Sequence, residues 1–222
     1  MIKINGINLG YNNTNKYTYR ILKDVIIKIV RGFIFRALGV KSKGILLIGK
    51  GVKISGKYSY LKTGKNCKIE NNSIIQTISN NGIVFGDNVT IGQGTLIRPS
   101  GLYNGEIGDG LSIGSYSSIG VESYIGCSGQ IIIGNYVMIG PKITIIAENH
   151  KHDRKDIPML LQGVIRKGVT IEDDVWIGAN VTILDGIKIG KGSIIGAGSI
   201  VTKDIPQYVI AVGCPARVIK SR

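Results

Sequence analysis

The sequence has few aromatic, proline and cysteine residues, and each shortage excludes a class of protein. Phe, Trp and Tyr make up only 6% of the 222 residues, so any core must be built from aliphatic side chains. Five Pro residues and the lack of a Gly-X-Y period exclude collagen and proline-rich disorder. The three Cys residues lack paired metal-ligand spacing, and we expect free thiols in a reducing cytoplasm.

No apolar run reaches the length of about 18 residues that a membrane span needs. The best candidate starts near residue 20 and is interrupted by Lys28 and Arg31. It also lacks a small-residue cleavage site, so neither a transmembrane helix nor a signal peptide is predicted.

Acidic residues are scarce at the beginning of the chain. Residues 1–60 hold 12 Lys and Arg residues and one acid, a formal charge of +11, whereas residues 61–222 carry only +3. Such a basic segment suits an anionic partner, which includes an anionic membrane surface or an anionic acceptor. No nucleic-acid recognition motif accompanies the charge, so we expect no nucleic-acid partner.

An aliphatic residue recurs every six residues, often followed by Gly, and a small or aliphatic residue precedes each anchor by two positions. The anchors form four series: Phe85, Ile91, Ile97; Ile107, Ile113, Ile119, Ile125; Ile133, Ile139, Ile145; and Ile171, Ile177, Ile183, Ile189, Ile195, Val201. This period fits neither an amphipathic helix nor an ordinary strand. It predicts short strands joined by tight turns, three to a coil, with coils stacked about 4.8 Å apart in parallel sheets. Burial of each Ile stabilises the fold by roughly 1.5–3 kcal/mol.

The repeat is interrupted most strongly between Ile145 and Ile171, which are 26 residues apart. The interruption predicts a loop over residues 147–168. Long loops in compact domains are commonly functional or disordered. Both histidines of the chain, His150 and His152, lie in this loop, and imidazole is suited to removing a hydroxyl proton near neutral pH.

The C-terminal half resembles the hexapeptide-repeat acyltransferases, closest to the sugar and surface-polysaccharide O-acetyltransferases. The resemblance is strongest in the segment DDVWIGANVTILDGIKIGKGSIIGAGSIVTKDIPQYVIAVGCPARVIK, is close over residues 133–220 and is weaker over 45–132. It implies an all-β fold, a left-handed parallel β-helix. It also implies a homotrimer with active sites between subunits and acetyl-CoA as the donor. The implied reaction is acetyl transfer to a sugar hydroxyl of a bacterial surface polysaccharide or its lipid-linked precursor.

The resemblance places the general base at His150, which matches the catalytic histidine of the related sugar acetyltransferases. His152 and Asn149 are expected to contact the loop or the acceptor. Galactoside-type enzymes carry an acceptor-binding Asn in the coil before the histidine, and here the nearby positions read Gly120, Val121, Glu122 and Ser123. Glu122 or Tyr124 is the expected replacement, which puts galactoside and maltose in doubt as acceptors.

The resemblance also assigns positions for CoA. Ala179 and Ala197 match positions whose backbone meets the pantetheine arm, and Trp176 matches a tryptophan beside its thiol end. Four further positions match contacts to the adenosine and phosphates: Thr202, Lys203, Arg217 and Lys220. Positive charge there suits a phosphate partner.

Several alternatives remain open at this point. After the sugar hydroxyl, the next acceptor candidates are a nucleotide-sugar amine and a xenobiotic such as an antibiotic, and a non-enzymatic β-helix scaffold is a further alternative. A zinc enzyme of the carbonic anhydrase type needs three His ligands, and the chain has two, so no metal is expected. A covalent route through Cys127 is not favoured, because that residue falls at a coil position.

Domain boundaries follow from these patterns: a basic segment over 1–44, a β-helix over 45–206 that includes the 147–168 loop, and a tail over 207–222. Helical spacing predicts a helix over 18–38. Its apolar face is expected to contain Leu22, Val25, Ile26, Ile29, Phe33 and Ala37. A basic amphipathic helix suits a membrane surface at the inner face of the cell membrane, but it equally suits capping of an open β-helix end or trimer packing.

Overall fold

The computed structural model describes residues 2–4, 7–9, 15–99 and 106–222, and for 2–4, 7–9 and 15–18 it describes the backbone alone. The chain begins with an antiparallel pair, β1 (Ile2–Ile4) and β2 (Ile7–Leu9). A 23-residue helix, α1 (Asn15–Ala37), follows and begins three residues before the predicted start.

Most of the remaining chain forms three sheets, which we name A, B and C and whose strands are parallel except for the last strand of sheet A. Sheet A contains β4 (Leu46–Ile48), β7 (Cys67–Ile69), β10 (Thr90–Ile91), β13 (Ser118–Ile119), β16 (Met138–Ile139), β21 (Trp176–Ile177), β24 (Ile194–Ile195), β26 (Val209–Gly213) and β27 (Ala216–Ser221). Sheet B contains β5 (Lys53–Ser55), β8 (Ile74–Gln76), β11 (Leu96–Arg98), β14 (Tyr124–Gly126), β17 (Thr144–Ile146), β22 (Thr182–Ile183) and β25 (Ile200–Val201). Sheet C contains β3 (Lys41–Ser42), β6 (Leu61–Thr63), β9 (Ile83–Phe85), β12 (Leu111–Ile113), β15 (Ile131–Ile133), β20 (Val169–Ile171) and β23 (Lys188–Ile189).

The chain visits the sheets in the order C, A, B and then repeats, so that each passage is one coil of a prism. The described residues make seven such coils, from β3 to β25. These coils form the predicted left-handed parallel β-helix, and the fold expectation is confirmed. The longer connections all leave the prism at one edge, between the end of a sheet B strand and the next strand of sheet C. A short 3-10 turn at Tyr58–Tyr60 occupies the first of these connections.

Buried aliphatic residues fill the prism at the anchor positions, as the period predicts. Anchors such as Ile125, Ile145 and Ile183 are fully buried, and so are the residues two positions before them, Ser123, Ile143 and Val181 among others.

The prediction was wrong for one of the anchor residues. Ile107 is 48% exposed and precedes the coil, because the fourth coil begins at β12, where Ile113 takes the inward position.

Helix α1 covers the open end of the prism at the first coil. It crosses β4, the terminal strand of sheet A, at Gly32, where any Cβ would overlap the carbonyl oxygen of Leu46. Phe35 packs against the core and its ring contacts Tyr58 edge-on at 5.9 Å between centroids. These direct contacts support the interpretation that the helix caps the open end of the β-helix.

The predicted apolar face of α1 was only partly right. Leu22, Val25 and Ile29 turn toward the prism and are partly buried, whereas Ile26 and Phe33 are exposed. The glycine at position 32 explains the difference, because it allows the close approach and thereby sets which side of the helix faces the coil.

Candidate functional site

The 147–168 loop leaves the prism as a short antiparallel pair. β18 (Asn149–His150) pairs with β19 (Val164–Ile165), with Asn149 opposite Ile165 and His150 opposite Val164. The Lys151 amide extends the pair by donating to the Gly163 carbonyl at 3.0 Å. A one-turn helix, α2 (Met159–Gln162), lies in the distal part of the loop. The ladder therefore fixes the backbone of His150, and His152 follows two residues later, just beyond the paired residues.

A buried carboxylate closes the base of this loop. Asp185 follows β22 in the next coil and is 9% exposed. Its carboxylate accepts hydrogen bonds from the Lys167 amide at 3.0 Å, the Gly168 amide at 2.8 Å and the Asn149 side-chain nitrogen at 3.5 Å. Sequence reasoning missed Asp185. The sequence feature that could have indicated this residue is an acid at the corner of the coil that follows the longest interruption of the repeat.

A second contact ties the loop base to the connection before β12. Arg166 donates to the Glu148 carboxylate at 2.8 Å and reaches Glu106 at 3.6 Å and the Ile107 carbonyl oxygen at 3.3 Å. Glu148 is therefore engaged by a guanidinium and does not orient an imidazole. Among loop carboxylates, Asp156 is likewise paired with Arg154.

The two imidazoles have different surroundings. The His152 Nδ1 lies 3.1 Å from the carbonyl oxygen of His150, to which it donates when that nitrogen carries the proton. Both side chains are exposed. Among the described residues none forms a hydrogen bond to the His150 ring, and that side chain is exposed. An exposed imidazole on a fixed backbone is able to take a proton from a hydroxyl brought to it.

Five of the CoA candidates lie on sheet A or at the edge between sheets A and B. Trp176 is 51% exposed on the outer face of sheet A, between Met138 and Ile194 in the strand register. Ala179 and Ala197 stack at the A–B edge one coil apart, and the Gly198 amide donates to the Ala179 carbonyl at 2.8 Å. Arg217 and Lys220 lie on β27, which folds back on β26 at the end of sheet A, and both are exposed.

The other two CoA candidates lie elsewhere. Thr202 and Lys203 follow β25 at the B–C edge, which is the edge that carries the histidine loop. Both side chains are exposed. The proposed phosphate contacts thus fall at two edges of one chain.

The two acceptor candidates of the fourth coil, Glu122 and Tyr124, also lie at different places on the prism. Glu122 lies at the A–B edge and pairs with Lys142 at 3.7 Å on the surface. Tyr124 begins β14 on sheet B, and its ring lies over Gly126, so that a Cβ on that glycine would be 3.0 Å from the ring. Gly126 pairs with Ile146, the last residue before the loop. Tyr124 therefore points toward the histidine edge, whereas Glu122 lies at the far end of sheet B.

Within one chain, the histidine loop and the Trp176–Ala179 surface occupy different edges of the prism. The fold brings Asn149, His150 and His152 together and brings Trp176, Ala179 and Ala197 near one another, but it does not join the two groups. A cleft that contained both groups would need a second copy of the chain.

Burial determines the reactivity of the cysteine thiols. Cys127 is fully buried, and this desolvation raises its pKa to about 12. A thiol with such a pKa holds its proton at neutral pH and is a poor nucleophile. Cys67 is also buried with a raised pKa, and Cys214 is exposed.

In the described part of the chain, no three His, Cys, Asp or Glu side chains gather as a metal site.

We expect Asp185→Ala to loosen the loop base, since the Lys167 and Gly168 amides lose their acceptor. Leaving such groups unpaired costs about 1–3 kcal/mol. Hydrogen–deuterium exchange over residues 163–168 should accelerate, and Asp185→Asn should show a smaller change because it keeps one acceptor oxygen. Asp204→Ala is the matched control, because Asp204 accepts from the Lys188 amide at 2.8 Å in a coil without a loop. Equal acceleration in both alanine variants would contradict a specific role for Asp185.

Comparison with known proteins adds a family assignment for part of the chain. Residues 168–203 match the family model described as bacterial transferase hexapeptide, six repeats. These residues form the sixth and seventh coils, from β20 to β25.

The curated relatives are acetyltransferases. The chain is 47% identical over 91 residues to a galactoside O-acetyltransferase of Lactococcus lactis, which covers 40% of this chain and 42% of the relative. It is 37% identical over 134 residues to the galactoside O-acetyltransferase of Escherichia coli, which covers 59% and 63%. The chain thus spans about half the length of the curated relatives that it matches.

A solved structure shares the fold over most of the chain. It is a mutant of the N-acyltransferase AntD from Bacillus cereus, in complex with dTDP-4-amino-4,6-dideoxyglucose and coenzyme A. The TM-score is 0.58 at 19% identity, with 86% of this chain and 88% of that chain covered. At this identity the likeness concerns the fold alone.

Proposed function

Since this chain contains the hexapeptide-repeat transferase domain, we propose that it is an acetyltransferase that moves an acetyl group from acetyl-CoA to a sugar hydroxyl. The observation that carries the proposal is the His150 loop, fixed at its base by Asp185 and inserted into the coil next to the matched family repeat. The galactoside O-acetyltransferase relatives support a hydroxyl acceptor.

In the proposed reaction His150 acts as the general base. Its imidazole accepts the proton of the acceptor hydroxyl as that oxygen attacks the thioester carbonyl carbon of acetyl-CoA. The new C–O bond forms, the C–S bond breaks, and His150 returns the proton to the departing sulfur. Backbone N–H groups of the cleft stabilise the negative charge on the carbonyl oxygen during the transfer. The high pKa of the buried Cys127 disfavours a route through a covalent thioester on that residue.

The residues at the donor side fit CoA. Trp176 supplies an exposed apolar surface, and Ala179 and Ala197, which carry only a methyl group each, lie at the adjoining A–B edge. Arg217 and Lys220 are exposed cations at the end of sheet A, and Lys203 and the Thr202 hydroxyl at the B–C edge would join them on one nucleotide only across a contact between two copies; positive charge of this kind suits a nucleotide with several phosphates.

We further propose that the active unit is a homotrimer. In one chain the His150 edge and the Trp176 surface are apart, so a cleft between two copies would unite the base of one with the donor surface of the other. The expected acceptor contacts nearest the base are Tyr124, Asn149 and His152. Glu122 would contact the acceptor only if the acceptor were bound between two copies of the chain.

The proposed acceptor class is a saccharide of a bacterial surface polysaccharide or its lipid-linked precursor. An amino sugar is the second candidate, because the AntD structure that shares the fold contains dTDP-4-amino-4,6-dideoxyglucose. An acceptor screen with matched hydroxyl and amino sugars separates the two candidates by the product bond, an ester or an amide.

Calorimetry with acetyl-CoA and CoA tests the donor assignment. We expect saturable binding of both at about one site per subunit. Arg217→Ala should weaken binding about tenfold, because a charge-assisted phosphate contact is lost. Lys53→Ala, which removes an exposed cation of the first coil, is the control and should bind as the parent does. Absence of binding by a well-folded parent protein would refute the transferase proposal and favour a scaffold.

A further inference from the structure

Helix α1 has two apolar faces, and only one of them is covered. Leu22, Val25, Ile29 and Phe35 turn toward the first coil. Ile26, Val30, Phe33 and Ile34 form what we call the outer stripe, and they are 52–61% exposed. Their spacing of four, three and one residues aligns them along one side of the helix. A stripe of large aliphatic and aromatic side chains in water marks an interaction site.

Cations border the outer stripe. Lys23 lies one turn before Ile26, Arg31 lies one turn before Ile34, and the Arg36 guanidinium sits 5.9 Å from the centre of the Phe33 ring. These side chains belong to the segment whose formal charge over residues 1–60 is +11.

The acids near the helix are paired with a lysine of the helix itself. Asp24, the one acid in α1, is 3.0 Å from the Lys28 ammonium, which also binds Glu70 of the second coil at 3.1 Å. Lys28 therefore pairs with both carboxylates, although Asp24 is still 60% exposed, and Lys23, Arg31 and Arg36 have no acid paired with them among the described residues.

We propose that the outer stripe and its cations bind the surface of an anionic lipid bilayer. Apolar side chains flanked by Lys and Arg enter the boundary between head groups and acyl chains, while the cations meet the anionic head groups. The helix lies on the membrane and does not cross it, because no helix in the described part of the chain is long and apolar enough to span a bilayer.

A two-fold contact with a second copy of this chain fits the surface less well. Such an isologous contact would bring Lys23, Arg31 and Arg36 of both copies together, and the one acid of the helix, Asp24, is already paired with Lys28, so the like charges would repel. The lipid surface instead supplies the opposite charge. Binding of this kind would hold the protein at the inner face of the cell membrane, independently of whether it transfers acetyl groups.

Vesicle flotation with the full chain tests the proposal. The protein should float with vesicles of phosphatidylglycerol and phosphatidylcholine at low salt, and much less with phosphatidylcholine alone or in 0.5 M salt. Phe33→Glu should lower binding about tenfold or more, since it removes a ring that would enter the bilayer and adds a charge that the anionic head groups repel. Ile78→Glu is the matched control, because it makes the same change at another exposed apolar residue, in the connection between the second and third coils.

A charge variant separates the two contributions. Replacing Lys23, Arg31 and Arg36 with Gln should abolish the preference for anionic vesicles, whereas the same change at Lys142, Lys155 and Lys191 should not. Failure of the parent protein to float, or equal flotation of Phe33→Glu and parent, would overturn the proposal. A fall in the oligomeric mass of Phe33→Glu by light scattering, with no vesicle binding by the parent, would assign the stripe to a second copy instead.

Discussion

Replacing His150 with alanine is expected to lower turnover by about a hundredfold or more, because a positioned general base contributes roughly 10²- to 10⁴-fold. The His150 side chain is exposed, and its backbone is held by the β18–β19 ladder, so the fold should tolerate the loss of the ring. The donor contacts lie on other residues, and CoA binding should therefore be unchanged. The variant separates the chemical step from binding.

The measurement is steady-state acetyl transfer to the best acceptor of the screen, together with CoA calorimetry on the same preparation. His152→Ala is the matched control, because it removes the other imidazole of the same loop, which bonds to the His150 carbonyl oxygen. Its turnover should fall far less. Near-parental turnover of His150→Ala, with an equal or larger loss in His152→Ala, would show that the base has been assigned to the wrong residue.

Gly114→Ala is expected to destabilise the fold by about 3 kcal/mol or more, well above the average point mutation. Gly114 follows the buried Ile113 at the edge between sheets C and A. A Cβ there would lie 2.5 Å from the carbonyl carbon and 2.6 Å from the carbonyl oxygen of Gly134 in the next coil, and 2.7 Å from the Asn135 nitrogen. All three are backbone atoms, which cannot move aside without breaking the parallel ladder between β12 and β15.

Thermal unfolding by circular dichroism measures this effect. For a chain of this size a loss of about 3 kcal/mol lowers the midpoint by roughly 6–12 °C. Gly198→Ala is the control, because no atom lies within 4 Å of its Cβ position and only its φ of +72° opposes the change. That conformational cost is about 1–2 kcal/mol. If the two alanine variants melted at the same temperature, stacking of the coils would not be the reason for the glycine at position 114.

The repeat allowed the fold to be predicted where each coil is regular. Aliphatic residues that recur every six positions can all be buried together in a prism of parallel strands. Ile125, Ile145 and Ile183 are buried in this way, as expected. The prediction failed at Ile107, because spacing alone does not reveal that a connection ends only at Leu111. The loop was also predictable, since its length departs from an otherwise regular period.

The candidate site was predictable only in part. His150 stood out because the chain has two histidines and both lie in the longest interruption. Asp185 and Arg166 were missed, because each lies in an ordinary repeat context and gains its role from contact with residues in a neighbouring coil or connection.

The sequence by itself determined the coil, the position of the loop and the basic character of the first 60 residues, because period, length and charge are local properties of the chain. The tertiary structure decided which carboxylate closes the loop and which face of α1 stays uncovered. It also decided that His150 and Trp176 occupy different edges of one chain. These features depend on which coils stack together and on how closely Gly32 lets the helix approach β4, and neither follows from spacing along the chain.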